Sequence, residues 1–238
     1  MNKHATALAV AALFCLASSA ALALTPYSQD FEGLVQSDPD ALANDGWLVF
    51  GNVFDPAWNY LYGYGPFGAP NTGEAFCAIA AGEGGPAQGA QQLVVFSDYL
   101  NVDHGNGNLI ESNVFQEQMI GPGDVGNTYV FDFQAKLGDI AGASTAAAFI
   151  KTLDPGAGFI TTNFITIDMT SIPVTWSDYS LSLEIDPSLD GQIFQFGFLN
   201  VATNYEASGI FYDNVDFYME DPVAIETTSW GQVKSLYR

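Results

Sequence analysis

The sequence predicts an all-β domain of sandwich or barrel type, on three observations. Apolar and polar residues alternate with a period of two along much of the chain, the pattern of strands with one buried face. Turn signals punctuate these runs at short intervals: Gly121-Pro-Gly-Asp124, Asp154-Pro-Gly156, Asp186-Pro187 and Asp190-Gly191. Composition agrees, with 24 Gly, 14% aromatic residues and only 13% charged residues among 238.

The first segment predicts export rather than strand. Lys3 and His4 make a short polar n-region, an apolar run follows from Ala5 to Leu16, and small residues end at Ala21-Leu22-Ala23. We expect a signal peptide over 1–23, cleaved after Ala23, and a mature protein that is secreted, periplasmic or at the cell surface. An uncleaved anchor is disfavoured because the apolar core is short for a bilayer. No later stretch is long and apolar enough to span one. Cys15 falls inside this segment, which leaves Cys77 as the only other cysteine, unable to form an internal disulfide.

The expected strands run, in order, over Tyr27–Glu32, Trp47–Val53, Ala75–Ala80, Gln91–Phe96, Leu109–Met119, Thr128–Leu137, Ala146–Leu153, Asn163–Met169, Trp176–Ile185, Gln192–Val201 and Gly209–Tyr218. The clearest is Thr128–Leu137, where Tyr129, Phe131, Phe133, Ala135 and Leu137 alternate with Asp132, Gln134 and Lys136. Between the first two strands, Ser37–Ala43 suits one short helical turn with Pro39 near its start. The domain is expected over 24–220. After Asp221-Pro222, residues Trp230, Val233, Leu236 and Tyr237 share a helical face, and Ser229 with Gln232 fits a capping box. This tail, 221–238, reads either as a terminal helix that docks or frays, or as a sorting or anchoring signal.

Charge narrows the function classes. The chain has 27 Asp+Glu against 5 Lys+Arg, a formal net charge of −22, and losing Lys3 with a signal peptide makes it one unit more negative. No basic footprint exists for nucleic acid or an anionic membrane surface. Within 24–220 the only bases besides His104 are Lys136 and Lys151. Cations, neutral ligands or basic partners fit such a domain.

Against that background Asp213 stands out. In Gly209-Ile-Phe-Tyr-Asp-Asn-Val-Asp-Phe-Tyr218 it shares parity with Phe211, Val215 and Phe217. On a core face it needs a proton, several N–H donors or a cation. With arginine absent and lysine scarce, an oxygen-liganded Ca²⁺ is the expected partner. The opposite parity, with Ile210, Tyr212 and Tyr218, is also apolar, and Asp-Asn suits a bulge, so the facing of Asp213 stays open.

Three segments resemble a known group. Gln29-Asp-Phe-Glu-Gly33, Trp176-Ser-Asp-Tyr-Ser-Leu-Ser-Leu183 and Phe211-Tyr-Asp-Asn-Val215 resemble the first and late strands of galactose-binding-like jelly-roll domains, which include many carbohydrate-binding modules. The resemblance spans Tyr27 to Glu220. It implies a jelly-roll sandwich of two antiparallel sheets, non-catalytic glycan binding, and a structural Ca²⁺ joining first and last strands through Glu32 and Asp213.

Ligand candidates come from the chain itself. Trp58, Tyr60, Tyr62 and Tyr64 alternate strictly and, if extended, line one face on which sugar rings can stack. The same stripe suits inward core or an ordered Gly/Pro loop. Trp176 sits on the polar side of its strand, as a second platform or packed under a loop. Asp98, Asp103, His104, Asn106 and Asn108 form a polar loop without calcium-loop spacing, a solvated turn or a second metal site. An enzyme is harder to assemble from these residues. His104 has no G-x-S-x-G partner, zinc spacing and phosphate loops are missing, and among 27 acids paired carboxylates arise by chance. The expected function is therefore binding of extracellular carbohydrate. The rivals are an adhesive or structural surface protein that binds another protein, and a glycan-active enzyme.

Overall fold

A computed structural model describes residues 23–220. The expected tail, and all of the expected signal peptide except Ala23, lie outside them. Among the described residues twelve strands form: β1 Tyr27–Gln29, β2 Leu48–Phe54, β3 Tyr60–Gly68, β4 Cys77–Ala81, β5 Gln91–Val95, β6 Leu109–Met119, β7 Thr128–Leu137, β8 Thr145–Asp154, β9 Ile160–Asp168, β10 Ser177–Glu184, β11 Ile193–Ala202 and β12 Ile210–Met219. The single described α-helix, α1 Ala41–Asn44, is shorter and later than the expected turn. Among the described residues no helix is long and apolar enough to cross a membrane.

The strands make two antiparallel sheets. One runs β10-β7-β12-β5-β4, with β1 also on β12, and the other runs β3-β2-β6-β11-β8-β9. Successive strands from β5 to β8 and from β9 to β12 keep crossing between the sheets, as the jelly-roll sandwich requires. Parity then fills the space between. Phe131 and Phe133 of β7 meet Phe196 and Phe198 of β11 with ring centroids 5.1–5.5 Å apart. Phe196 stacks on Phe217 at 4.3 Å. Trp47 is fully buried and donates its indole N–H to Tyr27 Oη at 2.8 Å, which ties β1 to the start of β2.

β11 is buried at all ten of its positions. Its inward residues enter the core just described. Its outward Leu199 and Val201 join Phe115 and Phe149 in a second apolar cluster on the outer face of the β6-β11-β8 sheet.

The last strand settles the facing of Asp213 that alternation leaves open. Asn214 adopts a left-handed φ of 46° and the register to β7 shifts between Asp213 and Asp216. This bulge turns Val215 and Phe217 inward, while Asp213, opposite Gln134, stays on the outer side with Phe211. Asp213 is nonetheless fully buried. The 83–90 segment covers it, held to the sheet by Asn214 Nδ2 donating to the Ala87 carbonyl and Gln88 Nε2 donating to Gln134 Oε1.

Candidate functional site

A groove of about 580 Å³ crosses the outer face of the β3-β2-β6-β11-β8-β9 sheet. Each strand contributes by parity: Pro66 from β3, Phe50 and Asn52 from β2, Asn113, Phe115 and Glu117 from β6, Ile193 and Gln195 from β11, Lys151 and Leu153 from β8, and Thr161 from β9. Phe159, held at a left-handed φ of 64° in the β8–β9 hairpin, closes one end. Neighbouring strands lie about 4.8 Å apart, so six of them make a track roughly 24 Å long, enough for a chain molecule rather than one small ring.

The floor depends on a missing side chain. A Cβ on Gly197 would collide with the Val114 carbonyl oxygen and lie 2.7 Å from Phe115 Cα and 2.9 Å from Phe115 Cβ, so only glycine lets β11 approach β6 this closely beneath Phe115. A polar relay runs beside this apolar floor. Glu111 Oε1 accepts from Asn52 Nδ2 at 2.7 Å and from Asn113 Nδ2 at 2.9 Å. Asn113 Oδ1 accepts from Lys151 Nζ at 3.3 Å, and Gln195 donates to Glu117 Oε2 at 2.7 Å. The Lys151 ammonium sits 4.8 Å and 5.2 Å from the ring centroids of Phe149 and Phe164. Burial lowers its pKa, and the Glu111 charge opposes that shift. Apolar ring faces beside oriented amides and carboxylates form a surface for hydroxylated rings. Sequence reading missed this site because its residues come from six strands that only the topology brings together.

The Trp58–Tyr64 stripe is split by a second bulge. Tyr60 pairs with Phe54 and Tyr62 with Val53, two positions on β3 against one on β2. Trp58 and Tyr60 gather around Phe54 on the groove side at 5.5 Å and 5.8 Å, and both are more than half exposed. Asp55 fixes the hairpin that presents them, accepting from the Ala57 and Asn59 amides at 2.8 Å and 2.9 Å. Tyr62 and Tyr64 turn the other way and donate to Asp103 and Asp98, each at 2.7 Å. Tyr64 lies over Gly51 against Phe76, and burial is the main cause of its raised pKa.

Trp176 is half-buried. Its indole N–H donates to the Glu83 carbonyl at 3.1 Å, and Lys136, ion-paired to Glu83 at 2.8 Å, lies 5.6 Å above its ring. It packs beneath a loop and does not stand free as a platform.

The 97–108 loop is also less open than a solvated turn. It carries a 3₁₀ turn, Val102–Asn106, in which His104 is fully buried between Tyr99 and Tyr205 at 5.4 Å and 4.9 Å. Ser97 Oγ donates to the Ile110 carbonyl, so His104 Nε2, 3.2 Å from both Ser97 Oγ and the Asp98 carbonyl, carries the ring proton. Nδ1 is left buried without a partner. No substrate can reach this Ser–His pair. Burial lowers the His104 pKa, with Asp98 opposing. The unfolded chain therefore takes up this proton first as pH falls. His104 is expected to cost stability from about pH 6.5 downwards, a slope that His104→Gln should remove in pH-dependent urea unfolding.

Among the described residues, no group of three or more His, Cys, Asp or Glu converges as a metal cluster. Glu32 and Asp213 do share one neighbourhood. Glu32 Oε1 accepts from the Ala90 and Gln91 amides at 2.7 Å and 2.6 Å. Asp213 Oδ1 accepts from the Asn214 amide at 2.6 Å, while Oδ2 is buried with no partner. Burial chiefly pushes the Asp213 carboxyl up to about 7, and the charges of Asp30 and Glu32 add to the rise. Asp124 shows the contrast. Equally buried, it is satisfied by donors from Leu24, Gly121 and Tyr129.

No family profile and no curated protein matches the sequence. Solved structures do. The enzymatically active domain of tailspike protein 4 from bacteriophage CBA120 matches at TM-score 0.45 and 16% identity, over 79% of this chain and 21% of that one. The chain thus spans about a fifth of that protein's length. The C-terminal family 22 carbohydrate-binding module of a Clostridium thermocellum xylanase matches at TM-score 0.38 and 17% identity, over 81% of this chain and 91% of that one. A family 16 carbohydrate-binding module matches at TM-score 0.36 and 10% identity, over 60% and 86%. These neighbours include carbohydrate-binding modules, the group that the sequence resembles.

Proposed function

We propose that the protein is an exported, non-catalytic module that binds an extracellular glycan chain along the groove. The observation that carries this reading is the groove itself: a track across six strands whose floor sets Phe50 and Phe115 beside the Asn52–Glu111–Asn113 relay. Trp58 and Tyr60 flank it as exposed rings near one end. Tyr62, Tyr64 and Trp176 belong to the packing of loops. Export rests on the n-region, apolar run and cleavage pattern of residues 1–23.

Calcium belongs to the same proposal. What supports a cation there is the buried, unpartnered Asp213 Oδ2 and the charges of Asp30 and Glu32, near enough to raise its pKa although the three carboxylates do not converge as a ready-made cluster. A bound Ca²⁺ would there supply the positive charge that a domain with two lysines cannot.

Glycan-array binding of the wild type beside Phe50→Ala, Asn113→Ala and Tyr62→Ala tests the glycan reading. Wild type should bind at least one class of neutral or sparsely charged glycan. Phe50→Ala and Asn113→Ala should each weaken it about tenfold or more, the effect of about 1.4 kcal/mol, whereas Tyr62→Ala should change it little. Absence of binding by the wild type, or undiminished binding by the two groove variants, contradicts the proposal.

A further inference from the structure

Lys151 is the physical anomaly of the groove. The described residues contain two lysines and no arginine, set among a large excess of carboxylates. Lys136 has found one, Glu83 at 2.8 Å. Lys151 has none within 4.0 Å, although it is half-buried on the groove floor. Lysines are rarely withdrawn from water without a counter-charge. The nearby acids act on it only at a distance: the Glu111 charge favours the ammonium, but Glu111 Oε1 holds two amide groups, Glu117 Oε2 holds Gln195, and neither carboxylate comes within ion-pair distance. The ammonium has three donors, and the one described bond, to Asn113 Oδ1, is long at 3.3 Å. The rings of Phe149 and Phe164, 5.9 Å apart, both lie beside the ammonium, which supplies part of what water would but no lone-pair acceptor for its N–H groups.

We infer that Lys151 receives the carboxylate of an acidic sugar, so that the groove selects a glycan carrying uronic acid residues. This inference rests on the groove being the glycan site. The remaining N–H donors of Lys151 match the two acceptor oxygens of one carboxylate, in a site partly shielded from water where such a bond is strong. The strongly negative domain sets an upper limit on ligand charge. A densely anionic polymer is repelled by the whole molecule, whereas a chain with occasional uronates meets one local cation. Lys151 then acts as the specificity residue, and the relay through Asn113 to Glu111 sets its direction.

The test uses uronate-bearing oligosaccharides printed beside the same oligosaccharides after reduction of the carboxylate to a hydroxymethyl group. Wild type should prefer the acidic form about tenfold. Lys151→Gln should lose that preference while still binding the reduced form, and Lys151→Arg should retain most of it. Equal wild-type binding of both forms overturns the inference and leaves the glycan reading standing. A preference that survives in Lys151→Gln also overturns it. Binding of neither form, on an array where no other glycan binds, removes both. The wild-type comparison decides even if a variant fails to fold.

Discussion

Phe198→Ala should destabilise the domain by about 3–5 kcal/mol, a large share of the 5–15 kcal/mol that typically separates folded from unfolded chains. Phe198 is the ring on which both sheets close. It stacks on Tyr212 with centroids 3.6 Å apart, meets Phe133 edge-on at 5.2 Å, Phe131 at 5.5 Å and Trp47 at 6.2 Å. These partners come from β12, β7 and the start of β2, so no single strand can shift to refill the space. Each neighbouring ring would forfeit its stacking or edge-on partner, in addition to the burial that disappears with the Phe198 ring itself. Urea unfolding of the variant measures the effect. A loss below about 1 kcal/mol would mean that the core collapses around alanine, which this arrangement of rings forbids.

Chelation should lower the melting temperature, and calcium should restore it. At a free calcium concentration 100 times its dissociation constant, binding to the folded state alone contributes about 2.7 kcal/mol, or roughly 5–10 °C for a domain of this size. Asp213→Asn gives the decisive comparison. It removes the buried carboxylate that burial pushes up to about 7, so in chelator the variant should melt at or above the wild type. It should also show no response to calcium. Wild-type melting that is indifferent to calcium and chelator, with no calcium found by elemental analysis, removes the metal from the account and leaves a proton as the partner of Asp213.

Most of the sandwich could be read along the chain because each strand carries its own alternation. Every described strand except β3 overlaps its expected run, and β6 and β7 do so residue for residue. β3 was harder to see. Gly63, Gly65 and Pro66 are turn residues in isolation, yet here they are tolerated on a sheet edge next to a bulge. The two facings that alternation leaves open share one cause. A bulge adds a single residue and inverts every parity beyond it, and this happened at Tyr60–Tyr62 and at Asn214. The groove was hidden for a different reason. Phe50, Asn113 and Lys151 are separated by tens of residues, and their adjacency follows from strand order rather than spacing. A faint signal existed: β11 is apolar on both parities, which a sheet with one solvated face does not need.

That doubly covered strand has a kinetic consequence. β11 is bonded along both edges, by β6 and β8, and buried on both faces. Its amide hydrogens can exchange with solvent only when the whole domain opens. β3 and β9 are bonded along one edge each and are largely exposed, so their amides exchange through local fraying. The groove thus has a stiff bed and two banks that breathe. On the proposed reading, an entering glycan would part the banks without disturbing the register of the groups beneath.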